Sequence, residues 1–82
     1  MSSLLDQGLA HHDAGDLGRA EACYRAAAEQ NGADPEPQKL LALVAMEKGI
    51  ADAAVKHIEK AMELATREAQ YRHLFEIGRA HV

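Results

Sequence analysis

The apolar positions of this chain recur at helical spacing. Ala20, Tyr24, Ala27 and Ala28 stand at i, i+4, i+7 and i+8, and Ala54, Ile58, Ala61, Met62 and Ala65 repeat that spacing further on. An α-helix brings such positions onto one face, so each block predicts a helix with one buried stripe. Two further blocks behave alike: Leu4, Leu5, Leu9 and His12, then Leu40, Leu41, Val44 and Ala45. Gly15, Gly18, Gly32, Pro35, Pro37 and Gly49 interrupt the pattern where helices must stop. The expected helices therefore cover about 2–13, 17–30, 35–48 and 51–65, with another segment from 67 onward carrying Tyr71, Leu74 and Phe75. Asp16 and Asp52 stand where a carboxylate meets the first N–H groups of a helix, and Asp34 before Pro35 is a helix-start signal.

Sliding the chain by 34 residues superposes Leu9 on Leu43, Gly15 on Gly49, Ala20 on Ala54, Ala27 on Ala61 and Glu29 on Glu63. The placement carries more than the identities do. Small residues (Gly8 and Ala42, Ala20 and Ala54, Ala27 and Ala61) fall where two helices of a hairpin approach closely, and a glycine separates the helices in both copies. Tyr24 and Ile58 fill the remaining gap.

The motif Leu4-x-x-Gln7-Gly8-x-x-His11, Gly15-Asp16, Ala20-x-x-x-Tyr24-x-x-Ala27 resembles a tetratricopeptide repeat, and Gln38-x-x-Leu41-Ala42-x-x-Ala45, Gly49, Ala54-x-x-x-Ile58-x-x-Ala61 resembles a second. The first motif position holds Leu4 and Gln38 where the family has tryptophan. His11 and Ala45 replace the usual tyrosine, and the closing proline is displaced to Pro35. The resemblance implies an all-α fold: antiparallel helix hairpins stacked as a short right-handed α-solenoid. Residues 2–33 form one repeat, 34–66 a second, and 67–82 a partial third repeat or capping helix.

The tail has two readings. Leu74-x-x-Ile77-Gly78-x-x-His81 echoes the opening of the first repeat. Reverse translation of EIGRAHV also permits GAG ATC GGA AGA GCA CAC GTC, similar to a common short-read sequencing adapter that continues into the stop codon TGA. On that reading residues 77–82 are an artefact and the frame was cut inside a third repeat. On either reading an apolar face is left without a covering unit, since such arrays bury a continuous core only by stacking neighbours.

Composition narrows the function. Of 82 residues, 48% are hydrophobic, but 17 are alanine and only Tyr24, Tyr71 and Phe75 are aromatic, so the core is built largely from methyl groups. Val, Ile and Thr together number seven, which excludes a sheet sandwich. The net charge of −4 and the absence of a basic run exclude a nucleic-acid partner. No apolar run approaches the roughly 20 residues of a membrane span. The single cysteine, Cys23, and the absence of a secretory signal point to a reducing compartment, the cytoplasm.

Catalytic chemistry finds no residue set. Adjacent His11 and His12 point about 100° apart on a helix and cannot share one metal from a rigid face, and His57 and His73 have no Cys or His at ligand spacing. The only hydroxyl nucleophiles of serine or threonine type are Ser2, Ser3 and Thr66. Gly15 and Gly18 are followed by no Lys-Ser/Thr pair of a phosphate loop. No cofactor, metal or catalytic role is expected.

What remains is a surface. In tetratricopeptide arrays the first helix of each repeat lines the concave side, so the resemblance implies a groove of Leu5, Leu9, His12 and Asp13, then Lys39, Leu43, Met46 and Glu47. For Leu5 and Leu9 packing between helices is the competing role. Family members that clamp a peptide carboxylate use Lys and Asn where this chain has Leu5 and Leu9, and those with an asparagine-lined groove have no counterpart here, Asn31 being the one asparagine. The expected function is a protein–protein interaction scaffold taking a peptide or helix, with weak self-association through the uncovered C-terminal face. The alternative is the N-terminal repeat segment of a bacterial glycosyltransferase or sulfotransferase, because the opening 27 residues are similar to repeat arrays that precede such domains.

Overall fold

The computed structural model describes residues 3–80, and the side chains among them other than those of residue 71 and residues 75–80. Ser2 and His81 lie outside this range. The described chain is all-helical: α1 (Leu4–Asp13), α2 (Leu17–Gln30), α3 (Glu36–Glu47) and α4 (Ala51–Ala80). No described residue forms a strand, and no described helix is long and apolar enough to cross a membrane.

Local chemistry sets the boundaries. Helix α1 opens on a capping box: the Ser3 hydroxyl accepts from the Asp6 N–H, and the Asp6 carboxylate accepts from the Ser3 N–H. Asp16 caps α2 by accepting the Arg19 N–H at 3.1 Å, and Asp52 lies in the first turn of α4. Asp34 accepts the Glu36 N–H at 3.0 Å, starting α3 one residue after Pro35.

Helices α1 and α3 end in the same motif, 34 residues apart. Gly15 N–H donates to the His12 carbonyl and Asp16 N–H to His11; Gly49 N–H donates to Met46 and Ile50 N–H to Ala45. This paired arrangement is a Schellman cap, and it requires a left-handed residue after the helix. Gly15 and Gly49 supply it, with φ of 82° and 78°. Each cap turns the chain into a hairpin, so α1 packs on α2 and α3 on α4, while α2 packs on α3 to join the two.

The core lies at that junction. Ala20 and Tyr24 of α2 meet Leu41 and Val44 of α3, with Leu5, Leu17 and Leu40 packed around them. Methyl-sized residues permit the close approach, and at Gly8 nothing larger than hydrogen fits: a Cβ there would stand 2.4 Å from the Tyr24 ring.

Two expectations fail. The second stripe is not buried as a unit, because α4 buries Ala54, Ala61 and Leu64 whereas Ile58, Met62 and Ala65 are exposed. Periodicity identifies an apolar face, but burial also needs a layer to cover it. Nor does α4 stop near residue 65. Residues 65–70 contain no glycine or proline, and Glu63–Arg67 and Glu68–Arg72 pair at i, i+4, so the helix runs on into the segment expected to be separate.

Candidate functional site

The expected groove residues fall on α1 and α3, and the structure divides them into four groups. Leu5 is half-buried and packs against the core cluster, so its competing role prevails. Leu9, Leu43 and Met46 present apolar surface to solvent, at 41, 44 and 61% exposure. Asp13 and Lys39 are exposed, Lys39 standing 3.8 Å from Glu36 on its own helix, the geometry of a solvated face.

His12 and Glu47 form the fourth group, and the fold brings them into contact. His12 Nε2 lies 2.6 Å from Glu47 Oε2, and His12 Nδ1 lies 3.2 Å from the Tyr24 hydroxyl. Glu47 being acceptor-only, Nε2–H donates to its carboxylate, while Nδ1 shares a hydrogen bond with the Tyr24 hydroxyl whose direction follows the ring's protonation. One imidazole thus ties α1 to α2 and to α3, fixing the relative position of the two helices that carry Leu9 and Leu43. Burial pushes the Tyr24 hydroxyl above its ordinary value, reinforced by the negative charges of Asp13 and Glu47, so it stays protonated and able to donate. The sequence pattern identified Tyr24 only as a core residue. Its second role depends on His12 reaching across the hairpin, which spacing along the chain does not reveal.

Between α2 and the C-terminal end of α3, Glu21 bridges two cations, hydrogen-bonding to Lys48 and, at 2.6 Å, to Arg25. The Lys48 hydrogen bond, aided by Arg25 and opposed by partial burial, holds the Glu21 carboxyl below its ordinary value. Gln38 and His57 add a 2.8 Å contact between α3 and α4. These polar links fix the helices relative to one another and leave the described buried side-chain polar atoms satisfied.

Among the described residues no three His, Cys, Asp or Glu side chains gather as a metal site would require. Cys23 is half-buried, with its Cβ close to Gly8. The arrangement is a pair of helices, linked by His12 and Glu47, on which Leu9, Leu43 and Met46 are exposed together with the charged side chains of Asp13 and Lys39. In comparisons with family models, with curated proteins and with solved structures, the chain finds no match.

Proposed function

We propose that this protein is a protein–protein interaction module of tetratricopeptide-repeat type, which takes a helix or an extended peptide along α1 and α3. The observation that carries the reading is the exposure of Leu9, Leu43 and Met46 on two helices that the His12–Glu47 contact links. Leu9 and Leu43 occupy the same position of the 34-residue register, so the exposed leucine recurs with the repeat. The twin Schellman caps at that spacing support a repeat architecture, stacked as a short right-handed solenoid. A ligand helix with apolar residues at i, i+3 and i+4 would anchor on these three side chains, and Lys39 and Asp13 would set its register. The free thiol of Cys23 suits a reducing compartment, the cytoplasm.

The test is selection of peptides from a displayed random library against the wild-type chain. Leu9→Glu and Leu43→Glu should each weaken the selected peptides by at least about tenfold, because a desolvated, unpaired carboxylate costs more than a rim contact contributes. Far-UV circular dichroism should be unchanged, since both side chains are largely outside the core. Lys39→Ala should mainly alter the association rate and its salt dependence. Failure to enrich any peptide, or binding that survives both leucine substitutions, refutes the proposal.

A further inference from the structure

The outer face of α3 and α4 is apolar and uncovered. Ala42, Leu43, Met46, Ile58, Ala61 and Met62 border a groove of about 340 Å³ between the two helices. Ile58 is 42% exposed and Met62 65%. The internal register shows what such a face takes in this chain. Ile58 occupies the position of Tyr24, and Tyr24 is fully buried because the following hairpin sets Leu41 and Val44 against it. Among the described residues no equivalent helix packs on the face around Ile58.

The chain contains one. Helix α3 has 12 residues and α4 has 30, about 18 Å against 45 Å at 1.5 Å per residue, so the second half of α4 projects past the hairpin. That half carries Tyr71, Leu74 and Phe75 at i, i+3 and i+4, and Leu74 is 68% exposed. To reach the groove of its own chain it would have to bend back near residue 66, disrupting the Glu63–Arg67 pair in a stretch without glycine or proline. The same segment of a second copy reaches the groove without any break.

We propose that two copies of this chain pair antiparallel through α4, the second half of each helix lying in the α3–α4 groove of the other. With the two-fold axis crossing α4 between residues 66 and 67, position 58 of one copy stands level with position 75 of the other, and 62 with 71. Apolar positions are thereby opposed to apolar positions. Along α4 charge favours the same pairing: residues 51–66 hold three acidic and two basic residues and residues 67–80 three basic and two acidic, with Lys39 the one charged residue bordering the groove itself. The arrangement is isologous and closed, so it stops at the dimer. It also provides for each hairpin pair the neighbouring helix that repeat stacking requires.

Sedimentation velocity and light scattering on the full chain, from about 1 to 300 μM, bracket micromolar affinity. The expected species has twice the 8.9 kDa mass of the chain. Ile58→Glu/Met62→Glu, which spoils the groove, and Leu74→Glu, which spoils the tail, should each give a monomer of unchanged helicity. An equimolar mixture of the two variants should form a heterodimer detectable by native mass spectrometry, because each supplies the half that the other lacks. If a glutamate variant unfolds, Ile58→Ala and Leu74→Ala provide the same comparison. A monomeric wild type throughout, which would leave the groove to the chain's own tail or to a different protein, overturns the proposal. So does a dimer indifferent to Leu74, which would mean groove-to-groove pairing, or a mixture that stays monomeric. Lys39, Leu43 and Met46 border both this groove and the peptide-binding face, so the variants avoid them, and sedimentation reads the dimer where peptide selection reads the other proposal.

Discussion

Placing alanine at Gly8 and at Gly18 makes the same chemical change in two helices and should have opposite effects. In a helix interior the replacement is intrinsically favourable by about 0.8–1.0 kcal/mol, because glycine loses more backbone entropy on folding. At Gly18 the nearest atom to the new methyl is Asp16 Oδ1 at 3.9 Å, so that gain, reduced by the proximity of the helix end, should be expressed. At Gly8 the methyl would stand 2.4 Å from Tyr24 Cε1, 2.7 Å from Cδ1 and 3.2 Å from Cys23 Cβ. The ring cannot withdraw freely: it is fully buried against Leu41 and Val44, and its hydroxyl is held by His12. Overpacking of this kind costs about 1–3 kcal/mol. If the ring moves, the hydrogen bond to His12 is lost at about 0.5–1.5 kcal/mol more. After the intrinsic gain is offset, Gly8→Ala should destabilise by about 1–3 kcal/mol. For a chain of this size each kcal/mol moves Tm by about 4–8 °C, so Tm should fall by about 5–20 °C, whereas Gly18→Ala should raise it by a few degrees. Thermal and urea unfolding followed by circular dichroism measure both. A Gly8→Ala protein as stable as the wild type would show that α1 does not approach Tyr24 as described and would refute the account of the core.

Three further outcomes follow from the same contacts. Gly15→Ala and Gly49→Ala should each cost about 1–2 kcal/mol, since both sites hold the left-handed conformation in the same cap, and urea midpoints should drop by similar amounts. Glu21 has a depressed folded-state pKa, so its contribution is fully present above the ordinary glutamate value of 4.5 and is lost as pH falls through the folded value. Glu21→Gln should therefore lower stability at pH 7 and flatten its acid decline, read from urea midpoints across that range. Tyr24 has a raised pKa, so above the ordinary value of 10.0 the unfolded chain ionises first and stability falls as pH rises. Tyr24→Phe should weaken that alkaline decline and cost about 1 kcal/mol at neutral pH through the lost His12 contact, as unfolding curves at pH 7 and above 10 will show.

The parts of the fold that were legible in the sequence are those set by neighbouring residues. Gly15 and Gly49 mark the turns because a left-handed position needs glycine, and Asp16 marks the start of α2 because its side chain reaches Arg19 N–H. The continuity of α4 was missed because the internal repeat suggested a boundary near residue 65, while the residues themselves offer helix formers and two i, i+4 ion pairs. In the first repeat the corresponding stretch is Asn31-Gly32-Ala33-Asp34-Pro35, which does interrupt the helix. Ile58 and Met62 share a helical face with buried residues elsewhere in the register, but exposure is decided by what packs beyond them. Of the candidate surface, Leu9, Leu43 and Met46 were placed by repeat position. The His12–Glu47 contact joins residues 35 apart and exists only once α2 and α3 have docked.

The order in which the helices pack, α1 on α2, α2 on α3 and α3 on α4, gives the inner helices two extensively packed neighbours and the outer helices one, with α1 also reaching α3 through the His12–Glu47 contact. Opening the molecule then resembles unzipping a short row from its ends. Amide protons of α2 and α3 should exchange with deuterium only through the largest openings, those that part Tyr24 from Leu41 and Val44. Amides of α1 and of the far end of α4 can exchange while that seam stays shut. Protection is thus graded along the chain, highest at its middle, and any contact that caps an outer helix raises the protection of that end first.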